Sequence, residues 1–290
     1  MRWKGKVPSW SRVLLIFSLT WIVAMIACPD SQSKDLVPIP WTRKFPVFTI
    51  SHRGFSGEAP ENTLAAFKRA IEVGSDMIEL DVHLSKDGEV IVIHDDTLKR
   101  TTTGNGRVSD FNLQELRTLD AGIWFGSPFR GEKIPTLKEV FELTRGKILL
   151  HIELKEEELG RYDPVDLTDR TLKEVERAGM LDQVLFGSFN LSAVDRVREK
   201  YPRLPVALIY DRPWSFPQDA MGKRALSVLS CSGTVLNQAN LSKAHEQGIK
   251  VFVWTLNTEA HIEHFLNIGV DGIITNYPGR LIKILQKRLQ

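Results

Sequence analysis

Short apolar runs alternate with helical segments along most of the chain, and this alternation constrains the fold more than any other feature. Eight runs are candidate strands: Val47–Ser51, Met77–Val82, Val90–Ile93, Ile148–Leu154, Val184–Gly187, Val206–Tyr210, Val251–Thr255 and Gly272–Thr275. Most are nearly continuous and apolar, which is typical of parallel strands buried on both faces. Residues 46–290 also have close to the ~250-residue length of a (β/α)8 barrel. We therefore predict an α/β protein with a (β/α)8 TIM barrel.

Two stretches depart from a regular eightfold alternation. Ala225–Leu236 also looks strand-like and would be a ninth run, so we expect a short extra piece near the seventh unit. Roughly forty residues separate the Val90–Ile93 run from the helix that begins near Thr136, which is too long for an ordinary loop between strand and helix. Insertions of this kind at the loop face of a barrel commonly shape a substrate pocket.

The first 28 residues differ from the rest of the chain. Four basic residues precede an apolar run, Val13–Ala27, which ends at Cys28. At ~1.5 Å per residue the run spans about 22 Å, short of the ~30 Å hydrocarbon core of a membrane. A basic start, a short apolar stretch and small residues near its end are typical of an export signal.

Residues 1–28 therefore predict a signal peptide or an N-terminal membrane anchor, and they resemble a bacterial lipoprotein signal that ends at Cys28. An uncleaved single-pass anchor is the alternative, as is a Cys that merely ends a signal. Residues 29–45 are rich in Pro, Ser, Asp and Lys without an apolar period, and they predict a tether. We expect an extracytoplasmic domain associated with a membrane surface through its N-terminus.

The charge balance favours a small ligand over a nucleic acid. The formal net charge is +2, and no long run of Lys or Arg interleaves with aromatic residues. Only two cysteines are present, Cys28 and Cys231. If Cys28 is lipidated or removed, Cys231 has no partner, so the fold does not depend on disulfides.

Carboxylates lie at the ends of predicted strands, where barrel enzymes carry their chemistry. Glu79 and Asp81 are two apart on one strand and so point to the same side, and Glu153 lies near the end of another. Three such carboxylates without a nearby Cys suit a hard divalent cation, Mg²⁺ or Ca²⁺, rather than zinc. Arg53 and Lys155 can hold phosphate oxygens. The alternative is simple ion pairing between these cations and the carboxylates.

Two histidines also follow predicted strands. His52 and His94 are a natural pair for proton transfer, since one can act as a base on an attacking atom and the other as an acid on a leaving atom. Histidine titrates in the range that suits both roles. His83 and His151, by contrast, are expected to face outward, away from the ligand positions.

An ordered set of short motifs runs through the chain. The motifs are His52-Arg53-Gly54, Pro60-Glu61-Asn62-Thr63, Glu79-Leu80-Asp81-Val82, His94-Asp95 with Thr101, Glu153-Leu154-Lys155, Ser188-Phe189, Trp254-Thr255-Leu256-Asn257 and Asp271-Gly272-Ile273-Ile274-Thr275-Asn276-Tyr277-Pro278. This set resembles the glycerophosphodiester phosphodiesterase family over essentially all of residues 47–280. A lone His-Arg-Gly would be weak evidence, whereas the ordered set at these spacings is specific.

The resemblance implies both an architecture and an activity. It implies a barrel domain over 46–290 with a small insertion after the third strand, which fits residues 97–134. It implies hydrolysis of small-molecule glycerophosphodiesters to glycerol 3-phosphate and an alcohol, with His52 and His94 as acid and base. The divalent metal, Mg²⁺ or Ca²⁺, would lie on Glu79, Asp81 and Glu153. Substrate contacts would come from Arg53, Lys155, Glu61, Asn62 and Trp254.

Two alternatives stay open at this point. A lysophospholipase D-like or sphingomyelinase D-like activity shares the barrel and the two-histidine logic but takes a lipid-tailed substrate. A wide apolar mouth near Trp124, Phe125 and Phe129 would favour it. A non-catalytic, membrane-tethered phosphodiester-binding protein is the second alternative, although binding alone needs no pair of proton-transfer histidines.

Overall fold

The computed structural model of the protein describes residues 1–2, 5, 41–155, 164–212, 217 and 224–290. The chain divides into two compact units, Met1–Ser33 and Lys34–Gln290. The predicted signal or anchor at 1–28 and most of the predicted tether at 29–45 lie outside the described residues. None of the helices in the described ranges is both long enough and apolar enough to cross a membrane.

The described part of the second unit is a closed barrel. Its strands are β1 Phe48–His52, β2 Met77–Leu84, β3 Val90–Val92, β4 Leu149–Leu154, β5 Val184–Ser188, β6 Val206–Tyr210, β7 Val228–Ser232, β8 Lys250–Trp254 and β9 Gly272–Thr275. All of these except β3 pair in parallel, and β1 pairs with both β2 and β9, which closes the ring. The predicted (β/α)8 barrel is confirmed.

Helices connect the strands. They are α1 Leu64–Val73, α2 Leu113–Leu116, α3 Leu137–Thr144, α4 Pro164–Arg177, α5 Leu191–Lys200, α6 Gln238–Glu246, α7 Glu259–Ile268 and α8 Pro278–Arg288. Side-chain caps set where several of them begin. The Thr63 hydroxyl accepts from the backbone of α1, and Thr136 forms a reciprocal capping box with Glu139 at α3.

Side chains fill the barrel, so it is a packed core with a polar mouth. Inward-facing residues from around the ring form one buried cluster, which includes Phe48, Met77, Leu185, Ala207, Val228, Phe252 and Ile274. The last residues of the predicted tether contact this barrel. Trp41 packs against the inner cluster, and its indole Nε1 donates to the backbone oxygen of Asp182 at 2.6 Å.

The third strand in chain order is not a barrel strand. β3 pairs antiparallel with β2, with Val82 opposite Val92 and Leu84 opposite Val90, so the expectation of a parallel strand at Val90–Ile93 is wrong. Asp87 and Gly88 make the tight turn between the two strands, with Gly88 at φ +80°. Asp-Gly between two apolar runs is a hairpin signal, and it decides the direction of β3.

The run at Ala225–Leu236 is a barrel strand rather than an extra piece. It contains β7, which pairs in parallel with β6 and β8. Compared with the predicted set, β3 is not a barrel strand and β7 is one, so the described barrel still has eight strands.

The insertion at 97–134 follows β3 and has a small core of its own. It contains α2 and two short 3-10 turns, Val108–Asp110 and Ser127–Phe129. Leu98, Val108 and Leu116 pack there with Ile91 and Ile93 from the β3 region. The insertion therefore packs against the β2–β3 hairpin, and its own residues lie beside the C-terminal ends of β1 and β2.

Candidate active site

Polar side chains from several strands meet at the C-terminal end of the barrel, around a cavity of about 270 Å³. The cavity is lined by His52, Arg53, Glu79, His94, His151, Glu153, Lys155, Phe189, Ile209, Ser230, Trp254, Thr255 and Ile274. Of the predicted site residues, three are missing from this lining: Asp81, Glu61 and Asn62. Each of the three contacts Arg53, which is part of it.

Strand register brings the three predicted metal ligands together. Glu79 and Asp81 are two residues apart on β2, so both side chains point to its inner face. Asp81 is directly opposite Glu153 of β4 in the parallel pairing. Each of the three offers a carboxylate oxygen, and these oxygens all lie within 4.8 Å of one another. All three residues are buried.

The electrostatics of this cluster fit a divalent cation. Burial, followed by the charges of Asp81 and Glu153, raises the pKa of Glu79 well above its usual range. Burial and then Asp81 raise the pKa of Glu153 to about 7. Burial also opposes ionisation of Asp81, but Arg53 and Lys155 outweigh it and lower its pKa to about 2. Three oxygen donors that resist joint ionisation are suited to a hard cation, which would offset their repulsion.

The loop after β1 supports the cluster from one side. Arg53 and Asn62 both adopt left-handed backbone conformations, with φ of +53° and +56°, which are uncommon for residues other than glycine. In this conformation the Arg53 backbone N–H donates to Glu79 Oε2 at 3.0 Å. The Asn62 amide donates to Asp81 Oδ2 at 2.8 Å and so fixes the orientation of that carboxylate.

His52 ends β1, next to Glu79 in the register. Its Nδ1 lies 2.6 Å from Asn276 Oδ1. Because an amide oxygen only accepts, Nδ1 carries the proton and Nε2 is left with a lone pair. Nε2 lies 3.9 Å from Glu79 Oε2. Burial, aided by the charge of Arg53, lowers the pKa of His52 to about 4.

His94 follows β3, so the antiparallel hairpin rather than a barrel strand delivers it to the site. Its Nδ1 donates to Asp95 Oδ1 at 2.7 Å, and its Nε2 accepts from Lys155 Nζ at 3.2 Å. Burial lowers the pKa of His94, Asp81 opposes that shift, and Arg53 and Lys155 reinforce it. Both predicted histidines thus have Nδ1 held by an oxygen acceptor and Nε2 turned toward charged residues of the site.

Arg53 and Lys155 pair with the carboxylates in this structure. Lys155 Nζ donates to Glu153 Oε1 at 2.7 Å and lies 3.6 Å from Asp81 Oδ1. Arg53 Nη1 donates to Glu61 Oε1 at 2.8 Å, and its Nε lies 3.4 Å from Asp81 Oδ2. Both cations also line the cavity, so ion pairing and phosphate binding are compatible roles.

The aromatic side of the cavity is formed by Phe189, directly after β5, and by Trp254, the last residue of β8. Trp254 ends β8, and its ring centroid lies 6.1 Å from that of Phe189, which is 40% exposed. The insertion aromatics are elsewhere. Trp124 and Phe129 each contact the ring of Phe125 edge-to-face, and none of the three lines the cavity.

The expectation that His83 and His151 face outward is wrong. Each is two residues from a predicted metal ligand on the same strand, so strand alternation gives it the same face as that ligand. His83 is 2% exposed, and its Nε2 lies 3.0 Å from the backbone oxygen of His94. His151 is 1% exposed and lines the cavity, beside Gly187, where a Cβ would come within 2.4 Å of its Nε2.

Three polar residues that support the predicted ones from outside the cavity lining were themselves not among the predicted site residues. Asn276 and Asp95 hold the two histidines, and Arg100 bonds to both Asp95 and Glu61. The position of Asp95 directly after His94, and of Asn276 directly after β9, could have indicated the first two. The position of Arg100 within the insertion has no comparable signal.

The fold and this site define a (β/α)8-barrel enzyme with two histidines, two cations and an acidic cluster at its strand ends. Residues 52–280 match the model of the Glycerophosphoryl diester phosphodiesterase family. A glycerophosphodiester phosphodiesterase from Caldanaerobacter subterraneus subsp. tengcongensis is 41% identical over 243 residues, which cover 82% of this chain and 97% of that protein. Human lysophospholipase D GDPD1 is 30% identical over 264 residues, which cover 80% and 84%.

A solved structure agrees with these sequence relatives. It is that of a phosphodiesterase from Oleispira antarctica in complex with the product sn-glycerol-3-phosphate, with a TM-score of 0.78 and 31% identity. The match covers 83% of this chain and 97% of that one. The chain therefore belongs to the glycerophosphoryl diester phosphodiesterase family and is an enzyme, which confirms the resemblance drawn from its motifs.

Proposed function

We propose that the protein hydrolyses glycerophosphodiesters to sn-glycerol 3-phosphate and an alcohol, with His52 and His94 as the acid–base pair. One observation carries this proposal. Both histidines and both cations line one cavity of about 270 Å³ with two of the three clustered carboxylates. A binding protein needs no such pair of histidines, and family membership argues against the non-catalytic alternative.

Glu79, Asp81 and Glu153 would hold a divalent cation, Mg²⁺ or Ca²⁺. Their donor atoms are carboxylate oxygens that lie within 4.8 Å of one another, and no described Cys or His belongs to the cluster. Hard cations such as these prefer oxygen ligands. When bound, such a cation polarises a phosphoryl oxygen and stabilises the charge that develops on it. Its presence would also relieve the repulsion that raises the pKa values of Glu79 and Glu153.

Arg53 and Lys155 orient the phosphodiester. Lys155 Nζ lies 3.2 Å from His94 Nε2, so a phosphate oxygen on Lys155 also lies within reach of His94. Arg53, which directly follows His52 and also lines the cavity, offers a planar fork of N–H donors. A phosphate bound by both cations would therefore lie in the cavity that both histidines line, with its negative charge matched by Arg53 and Lys155.

His52 and His94 move the protons. Attack on phosphorus by a hydroxyl or water requires one histidine to accept the proton of the attacking oxygen. Departure of the alcohol requires the other, which must then carry a proton on Nε2 as well as on Nδ1, to give the Nε2 proton to the leaving oxygen. Asn276 and Asp95 fix the two Nδ1–H groups, so Nε2 of each ring is the atom that exchanges protons with the substrate.

A second candidate activity is that of a lysophospholipase D. Human lysophospholipase D GDPD1 covers 80% of this chain, and the exposed ring of Phe189 beside Trp254 gives the cavity an apolar wall. An acyl chain on the glycerol could lie against this wall. The reaction chemistry would be the same, and only the group beyond the phosphate would differ.

We also propose that the barrel domain is extracytoplasmic and held at a membrane surface by its N-terminus. The support is the basic start, the short apolar run and Cys28 in the sequence. A tethered enzyme would meet both soluble glycerophosphodiesters and lysophospholipids at that surface.

One assay tests the main proposal and separates it from the alternative. Purified protein is incubated with glycerophosphocholine or lysophosphatidylcholine, with and without EDTA, and the release of choline and of sn-glycerol 3-phosphate is measured. The proposal expects rapid turnover of glycerophosphocholine, loss in EDTA, and recovery with Mg²⁺ or Ca²⁺. Turnover of the lysolipid alone supports the second candidate. No turnover of either, or full activity in excess EDTA, contradicts the proposed metal-dependent chemistry.

A further inference from the structure

We infer that Arg100 is a positioning residue that sets the geometry of His94 and Arg53 together. The inference rests on the proposed function, because it assigns Arg100 a part in the same reaction. Arg100 belongs to the insertion after β3 and does not line the cavity. It acts only through the two acidic residues that it bonds.

Arg100 bridges two loops through four hydrogen bonds. Its Nε and Nη2 donate to the two carboxylate oxygens of Asp95 at 2.7 and 2.8 Å. Its Nη1 and Nη2 donate to the two oxygens of Glu61, both at 2.8 Å. Only the planar guanidinium can engage two carboxylates in this forked manner, since a lysine ammonium is a single point of charge.

Each bridged carboxylate holds one residue of the reaction. Asp95 Oδ1 accepts from His94 Nδ1 at 2.7 Å and thereby selects the ring tautomer and its orientation. Glu61 Oε1 accepts from Arg53 Nη1 at 2.8 Å. Arg100 is therefore the one described side chain bonded to both supports, so a shift in its position moves a proton-transfer group and a phosphate contact together.

The exposure of Arg100 indicates that its main contribution is to the geometry of the site rather than to the stability of the fold. Its side chain is 43% exposed, while those of Asp95 and Glu61 are 25% and 13% exposed. Arg100 is more exposed than either partner, so solvent screens its ion pairs and limits what even this bidentate network contributes to stability. A displacement of about 1 Å in a reacting group, by contrast, lowers the rate by ~100-fold. Loss of Arg100 should thus reduce catalysis far more than stability.

The test compares Arg100→Gln with a matched control. Arg196→Gln removes another forked arginine, which donates to Asp169 at 2.9 and 2.8 Å and to Glu199 at 2.7 Å between the outer helices α4 and α5. We expect Arg100→Gln to lower kcat/KM for glycerophosphocholine by about 10- to 100-fold, with a melting temperature close to that of Arg196→Gln. Arg100→Lys should fall between Arg100→Gln and the unaltered protein, because it holds one carboxylate at a time.

Two further readouts distinguish positioning from structure. Adding Asp95→Asn or Glu61→Gln to Arg100→Gln should cost much less than the same change made in the unaltered protein, since Arg100 acts through each of these two carboxylates. In protein labelled with ¹⁵N-histidine, His94 should show a protonated Nδ1 and a bare Nε2, and Arg100→Gln should mix the tautomers. His94→Ala assigns the signals. This spectrum tests the inference even if glycerophosphocholine proves not to be a substrate.

The inference is overturned if Arg100→Gln keeps kcat/KM within twofold of the unaltered protein, as Arg196→Gln should. It is also overturned if the loss of activity only follows a loss of folded protein, or if the changes at Arg100 and Asp95 are fully additive. If Arg100→Gln fails to fold, Arg100→Lys is measured in its place, and normal activity with an unchanged His94 spectrum then counts against the inference. An inactive unaltered protein contradicts the proposed function alone.

Discussion

Asp81 on β2 and Glu153 on β4 are directly opposite each other in the parallel pairing of the two strands. Two buried carboxylates in this register repel each other, and Glu79 adds a third from the same face of β2. Arg53 and Lys155 offset part of this repulsion. The arrangement fits a cation site, and the proposed function depends on it.

Metal binding should therefore depend on Asp81 and on the residue that holds it. We expect Asp81→Asn to abolish measurable Mg²⁺ or Ca²⁺ binding in calorimetric titrations. Asn62→Ala should weaken it by about 10- to 100-fold, because the Asn62 amide donates to Asp81 Oδ2 at 2.8 Å. Arg196→Gln serves as the control. Unchanged affinity in both site variants would mean that the carboxylates are only ion-pair partners of Arg53 and Lys155.

Asn276 should matter for turnover more than for substrate binding. Its Oδ1 accepts from His52 Nδ1 at 2.6 Å and so orients the ring. We expect Asn276→Ala to lower kcat by about tenfold or more, as for loss of a partner that orients an acid–base group. Asn276→Asp retains an acceptor oxygen and should keep most of the turnover. Equal activity of all three proteins would show that the ring needs no such support.

Glu174 should make stability depend on pH. Burial, followed by the charge of Glu89, raises its pKa to about 7, while Arg177 and Lys138 oppose the shift. Its Oε2 is buried and accepts no hydrogen bond from any residue described in the structure. The folded state thus favours the protonated acid, so this contribution to stability is fully present below the ordinary pKa of 4.5 and is lost as pH rises through 7.

Glu174→Gln should remove this dependence. Since the side chain is partly exposed, we expect a gain of only about 1 kcal/mol at pH 8 relative to pH 5. Melting temperatures at the two pH values measure it, with Glu142→Gln, an exposed glutamate of α3, as the control. A variant that is destabilised equally at both pH values would show that Glu174 is ionised and paired in the folded protein.

Much of the fold could be predicted from the sequence because buried parallel strands are apolar and continuous. Strand direction could not be read from the apolar runs themselves. The apolar run Val90–Ile93 predicts a parallel strand, although the Asp87-Gly88 turn before it is typical of a hairpin. His94 nevertheless reaches the site, because the hairpin ends on the same side of the barrel.

Some residues of the site could likewise be predicted from the sequence, and others could not. The carboxylates and histidines could be predicted because they follow strands at fixed spacing. His151 was misassigned, since strand alternation gives it the face of Glu153. Arg100 could not be predicted at all, because its two partners lie in different loops that only the folded chain brings together.

Membrane association should depend on Cys28 if the N-terminus is a lipoprotein signal. We expect Cys28→Ser to prevent lipidation and cleavage of the N-terminal segment. The amount of lipidated protein in the membrane fraction should therefore fall. Fractionation of cells together with mass spectrometry of the N-terminus measures both effects. Unchanged membrane association of the variant, together with an N-terminus that is already intact in the unaltered mature protein, supports a helical anchor instead. Recovery of intact protein in the cytoplasm would contradict both forms of the proposal.

The central claim is that His52 and His94 act on one transition state, and turnover of three variants tests it most directly. His52→Ala and His94→Ala should each lose about 10²- to 10⁴-fold in kcat, with melting temperature and metal affinity retained. Because the two groups act as a unit, the double variant should be little slower than the slower single one. A stable, metal-binding His94→Ala protein with near-normal turnover would contradict the two-histidine mechanism.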